Sequence, residues 1–138
     1  RPAEPHLQDL RQLIADTTHD LDTLQIYNES IDQLDTCFTS ADNNQPSDLI
    51  HTQHHYENSE VFVWLFRVSQ EYLDLLGQRK PEALAIFAHF CVLLKRLDAN
   101  WWMQGWAAHL LKGIWELLEQ DHRLWIRWPM EEVGWVPG

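Results

Sequence analysis

The sequence predicts an all-α helical bundle, with a long N-terminal amphipathic helix, or two, and a tryptophan-rich C-terminal half. Three observations carry this. Apolar residues recur at alternating spacings of three and four across residues 6–41, the period of a helix with one buried face. Residues 81–97 are apolar nearly all round, as a helix touched on every side must be. No strand signal competes: Trp125-Ile126-Arg127-Trp128 alternates, but four residues without a partner do not make a sheet. The 138 residues suit a single domain over the whole chain. At this length a domain buries roughly two-thirds of its unfolded surface and needs no disulfide or metal to fold.

The first segment carries Leu7, Leu10, Ile14, Thr17, Leu21, Leu24, Asn28, Ile31, Leu34 or Asp35, and Phe38 in heptad register. Pro5 suits a helix start, and Gly and Pro are absent from 6 to 45. Thr17, Asn28 and Asp35 dilute the stripe. Two readings stay open over 6–41: amphipathic helices packed on their own domain, or a dimerisation helix that makes a homodimer. Residues 42–58 form a polar break around Pro46, where Ser47 can cap a short helix.

Helix returns over 59–76, with Ser59 as cap and Gly77 as stop. Val61, Trp64, Leu65, Val68, Tyr72, Leu75 and Leu76 line one side, and Phe62 and Phe66 widen the stripe. Pro81 suits the first position of the buried helix, with Glu82 in its first turn. Asn100 caps a further helix reaching Glu119. Trp102, Trp106, His109 or Leu110, Gly113 and Leu117 mark one side of it; Trp101, Leu111, Ile114, Trp115 and Leu118 mark another. Gly105 and Gly113 then share nearly one face. Each costs about 1 kcal/mol against Ala in a helix interior, so the pair predicts close approach of a backbone or room for a ligand. In the tail, Asp121 caps one turn. Pro129 opens another, with Glu131 and Glu132 in its first turn and Gly134 at its end. Trp125, Trp128 and Trp135 fold back onto the bundle. Residues 59–137 thus form the apolar helical core.

Charge excludes one class of partner. Residues 1–60 net −10 and residues 61–138 net −1, within a total of −11. Such a surface repels phosphate backbones, so the chain does not bind DNA by itself. Cys37 and Cys91 are lone thiols, which suit a reducing compartment. No apolar run approaches the roughly 18 residues of a membrane span. No signal peptide is visible and the chain does not start with Met, so it reads as a piece of something larger.

Few constellations carry chemistry. His51, His54 and His55 stand at i, i+3 and i+4 with Glu57 beyond. Two imidazoles four apart can bind zinc on a helix, but the stretch is polar and loop-like, and no HExxH pattern exists. No metal site and no cofactor is expected. His89 and His109 lie on apolar helices and read either as core histidines bonded to carbonyls or as ligand contacts. Cys91 reads as a small hydrophobe. Glu131 and Glu132 diverge on a helix, which argues against a paired acid and base. No phosphate loop, GxSxG or Walker lysine is present. The chain is not expected to be an enzyme.

The eight tryptophans remain. Each buries roughly 150–250 Å², an upper estimate of about 4–6 kcal/mol of transfer energy. They form either a dense aromatic core or a wall around an apolar cavity with a few polar groups. The candidate ligand-binding residues are Phe62, Phe66, Phe87, His89, Phe90, Trp102, Trp106 and His109.

One combination of runs is specific. Pro81-Glu82-Ala83-Leu84, Ala88-His89-Phe90, Leu93-Leu94-Lys95-Arg96-Leu97, Trp101-Trp102-Met103 with Gly105-Trp106, the stretch from His122 to Pro129, and Gly134-Trp135 stand in that order. Together they resemble the C-terminal regulatory region of fungal binuclear zinc-cluster transcription factors, most of all the group that includes the sterol uptake control protein. The resemblance covers residues 59–137 well and the heptad stripe more loosely. It implies a nuclear regulatory domain, shuttling from the cytoplasm, that binds a sterol in an apolar pocket, dimerises and controls activation. The six cysteines of the zinc cluster are absent here, so DNA contact is implied only through a domain missing from this chain.

The expectation is therefore a ligand-sensing regulatory domain. An apolar small molecule, sterol-like, enters between the helices of 59–76, 81–97 and 101–119. Two alternatives stand beside it: a dimerisation or protein-interaction module with a filled core, and an enzyme on an apolar substrate using His89 or His109.

Overall fold

The computed structural model describes residues 5–43, 64, 68–96 and 105–137. Among them six α-helices and one 3-10 segment follow in order, with no strand. The all-α expectation holds.

The first stripe is two helices, α1 (Pro5–Thr17) and α2 (Leu21–Asn43). Of the one or two helices expected over 6–41, two form, parted at residues 18–20. The cause is a polar cap that neither Gly nor Pro announces. The Asp20 carboxylate accepts from the Thr23 N–H at 2.9 Å and from the Thr23 hydroxyl at 2.6 Å. This satisfies a donor that the first turn of a helix leaves orphaned. The hydroxyl bond, then the backbone bond, hold the Asp20 carboxyl below the usual carboxylate range. The chain folds back on itself here. Arg11 donates to Asn28 O and Oδ1, both at 3.3 Å, and ion-pairs with Asp32. The two helices therefore run antiparallel.

α1 buries Leu7, Leu10 and Ile14, and α2 buries Tyr27, Ile31, Leu34, Cys37 and Phe38. The restart shifts the register: Leu21 is 77% exposed, and Leu34, not Asp35, is the buried residue of that pair.

The helix expected over 59–76 has a fresh start as α3 (Gln70–Gly77). Ser69 is extended at φ −73°, ψ 158°, and its Oγ accepts from the Tyr72 N–H at 3.1 Å. Residues 59–63 and 65–67, with the expected cap Ser59, lie outside the described residues. Trp64 is helical, and its carbonyl accepts from Val68 N–H at 3.0 Å. Gly77 does end α3, but the left-handed residue of the turn is Arg79, at φ +63°.

α4 (Pro81–Arg96) is the centre of the bundle, as expected. α1, α2, α3 and the C-terminal elements all pack on it. Ala83 to Ile86, Ala88, Phe90 and Cys91 to Leu94 are buried, so most of the helix surface meets apolar neighbours.

α5 (Trp106–Leu117) buries Ala107, Leu111 and Ile114. Its expected cap Asn100 lies outside the described residues, with Trp101 and Trp102. Gly105 is corrected: it precedes α5 at φ +88°, a left-handed backbone that glycine adopts without steric cost. Gly105 and Gly113 therefore do not share a helix face.

A 3-10 segment (Gln120–Ile126) and α6 (Arg127–Val133) close the bundle. Asp121 lies within the 3-10 segment rather than ahead of it. Pro129 stands third in α6, not first; its missing N–H is still one of the orphaned donors. Glu131 is one turn further on than expected and pairs with Arg127 at 3.1 Å. Gly134 ends α6 at φ +84°, giving its N–H to Met130 O at 2.9 Å. Trp125, Trp128 and Trp135 pack on the core, part-buried, as the fold-back predicted.

Candidate functional site

The aromatic residues at the centre settle into a packed cluster. Trp64 is fully buried and its indole N–H donates to Ser30 O at 3.0 Å. Its ring meets Tyr72 edge-on at 5.6 Å and stacks on Phe90 at 4.9 Å. The Tyr72 hydroxyl donates to Ala83 O at 2.9 Å, and burial holds its pKa well above the ordinary phenol value. Every polar tip in this cluster is thus satisfied, which is what a buried Trp and Tyr require. Trp64 and Phe90 belong to filled core rather than to a cavity wall.

Phe87 is different. It stacks on Phe90 at 5.5 Å and lies 6.2 Å from Trp64, yet it is only part-buried. Its other side lines an open groove of about 390 Å³ between α3, α4 and α5. The end of α3 contributes Leu76 and Gly77, with Arg79 from the turn beyond; α4 contributes Leu84 and Phe87. α5 contributes His109, Leu110, Gly113, Ile114 and Leu117. The floor and walls are apolar, and His109 and Arg79 are the ionisable side chains on it. A Cβ placed on Gly113 or Gly77 meets nothing within 4 Å, so each glycine leaves open space rather than admitting a neighbouring backbone. Leu117 remains 45% exposed beside the groove.

The predicted site residues divide. Phe87 and His109 come together in the groove. Trp106 stands 45% exposed at the start of α5. Phe62, Phe66 and Trp102 lie outside the described residues, as do His51, His54, His55 and Glu57. His89 faces elsewhere: two positions from Phe87 it is about 200° round the helix. It is buried, and its Nδ1 bonds Ala85 O at 2.9 Å, the core-histidine arrangement. Burial pushes its pKa down to about 4, with the Ala85 bond opposing and His6 adding to the shift.

Leu76, Leu84, Leu110 and Gly113 were not among the expected ligand contacts. Their signal was present: 110, 113, 114 and 117 form an i, i+3, i+4, i+7 stripe. In sequence, Leu110, Gly113 and Leu117 mark one side and Ile114 another, and Gly113 predicts close backbone approach or room for a ligand.

Burial also pushes the Cys91 thiol up to about 12, so it is an inert core residue. Among the described residues no group of three or more His, Cys, Asp or Glu could hold a metal ion. Among the described residues no helix is long and apolar enough to cross a membrane.

The fold and groove define an all-α domain with a solvent-open apolar channel against its central helix. Over 77 residues, 54% of this chain, the sequence is 38% identical to a protein of Gibberella zeae described as a Zn(2)-C6 fungal-type transcription factor. The matched stretch is 16% of that relative, so the chain spans well under a fifth of its length. No family model matches the chain. No solved structure matches it.

Proposed function

We propose that this chain is a regulatory domain of a fungal transcription factor, and that the groove between α3, α4 and α5 binds an apolar small molecule such as a sterol. The observation that carries the reading is the groove itself. It lies between the three helical segments where the sequence placed ligand entry, and its volume of about 390 Å³ is within the usual range of ligand sites. His109 and Arg79 supply the polar groups that would orient a head group. The similarity to a described Zn(2)-C6 transcription factor supports the regulatory and non-enzymatic parts, and a nuclear location. The net charge of −11 fits a domain whose DNA contacts are made by another part of the protein.

The ligand acts through differential affinity for two states. A guest against Phe87 presses on a ring that stacks on Phe90, which stacks on Trp64. The groove thus connects to the buried centre through three rings. The interaction-module reading has less support. The stripe residues that would pair two chains, Leu7, Leu10, Ile14, Ile31, Leu34 and Phe38, are buried within one.

Titration with ergosterol tests the proposal. Tryptophan fluorescence and melting temperature should both move, the latter by the equivalent of about 2.7 kcal/mol at a hundredfold excess over Kd. No change in either at saturating, soluble ergosterol overturns the sterol reading.

A further inference from the structure

A second cleft lies on the other side of α4, between α1, the 3-10 segment and α6, with a volume of about 380 Å³. We propose that this cleft is a separate binding site for a small planar molecule that carries an O–H or N–H donor, which it gives to His89 Nε2. The case rests on how His89 is held. Its Nδ1 lies 2.9 Å from Ala85 O. A carbonyl only accepts, so Nδ1 carries the proton and Nε2 is a bare acceptor. Among the described residues nothing donates to Nε2. Nor is that atom sealed away: among the described residues the buried polar side-chain atom lacking both partner and solvent is Thr18 Oγ1. His89 retains 3% exposure and lines the cleft, so the open part of its ring faces that space. An acceptor held at the floor of a cleft, with no protein donor, is a ready partner for a guest that brings one.

The walls select the shape of the guest. Trp128 is stacked on His6 at 3.8 Å and 10°, and its ring lies 5.6 Å from that of His89 at 30°. Trp125 adds a second indole to the lining, and Leu13 closes one side. Flat aromatic walls favour a flat guest, stacked or edge-on.

Charge selects its class. Asp9 and Glu131 line the cleft, and the one guanidinium there, on Arg127, is already paired with Glu131 at 3.1 Å. An anion is disfavoured. At neutral pH the buried His89 ring is uncharged, its pKa being pushed down to about 4, so it offers a lone pair rather than a proton. The guest is therefore neutral or cationic, with one ring or two. It differs in kind from the guest of the apolar groove, and the two sites stand or fall separately.

Phenol and anisole separate the hydrogen bond from simple ring binding. Each is titrated into the whole chain labelled with ¹⁵N, following the imidazole nitrogens by NMR. Phenol should shift the His89 Nε2 resonance and saturate, while anisole, which has no donor, binds at least tenfold more weakly. His89→Phe should bring phenol down to the anisole level. Leu13→Trp, at a half-buried position on the cleft wall, should fill the space and abolish both without loss of cooperative melting. It carries the test if His89→Phe does not fold. Equal affinity for the two probes, shifts centred on His109 instead of His89, or phenol binding retained in Leu13→Trp would each overturn the proposal.

Discussion

Acid should weaken this fold through one identifiable group. His89 is buried among apolar neighbours and its Nδ1–H is committed to Ala85 O. Its pKa falls from 6.5 to about 4 in the folded chain. The sign follows from proton binding: between those two values the unfolded chain takes up a proton at this ring and the folded chain does not. Stability is therefore lost as pH falls below about 6.5, and the loss levels off once the folded ring also protonates near 4. Two and a half pK units correspond to about 3 kcal/mol in full, and to about 2 kcal/mol by pH 5. For a domain of this size 2 kcal/mol lowers the melting temperature by roughly 8 °C. Urea midpoints measured from pH 7.5 to 4.5 on the wild type and on His89→Phe isolate the group, because the other titrating residues are common to both. The wild type should lose about 2 kcal/mol more than the variant between pH 7 and 5. Identical pH profiles, or a His89 imidazole that titrates near 6.5 in the folded chain, would refute the reasoning.

Three further outcomes are expected. Ser69→Ala removes the oxygen that accepts from Tyr72 N–H and should cost about 1 kcal/mol of unfolding free energy in urea. Trp64→Phe leaves Ser30 O without its donor and shrinks the ring at the centre of the aromatic cluster; a loss of about 2–3 kcal/mol is expected by the same method. Gly113→Ala places a Cβ in open space on α5 and should stabilise by up to about 1 kcal/mol, seen as a higher melting temperature.

How much of this was legible in the sequence depends on which force set each feature. The burial of α4 was plain, because Ala83 to Leu94 offers no polar face to turn outward. The stop at Gly134 was plain too, since a left-handed residue after a helix has few alternatives to glycine. The break after Thr17 was not. It depends on one carboxylate reaching Thr23, while the apolar spacing runs on through it. The same is true of Ser69, whose cap splits a stripe that looks continuous.

The site was half legible for a related reason. His89 and His109 occupy similar apolar contexts in sequence, and periodicity does not say which neighbour a face will meet. The structure turns His89 toward α6 and leaves His109 on the groove. Phe87 and Phe90 are likewise one turn apart, yet Phe90 is sealed under Trp64 while Phe87 keeps one side open. Gly113 was singled out correctly as a place where a side chain is missing. What faces that space is set by Leu76 and Leu84, which tertiary packing brings there.

The central claim is that an apolar guest sits in the groove between α3, α4 and α5. The most direct measurement is photo-crosslinking with a diazirine-bearing sterol, followed by peptide mapping and competition with ergosterol. The account predicts competable label on Phe87, Leu110 or Leu117 in the wild type, and none in Gly113→Trp, whose ring would occupy the groove. Label that persists in Gly113→Trp, or that falls on Trp125 and Trp128 instead, would contradict it.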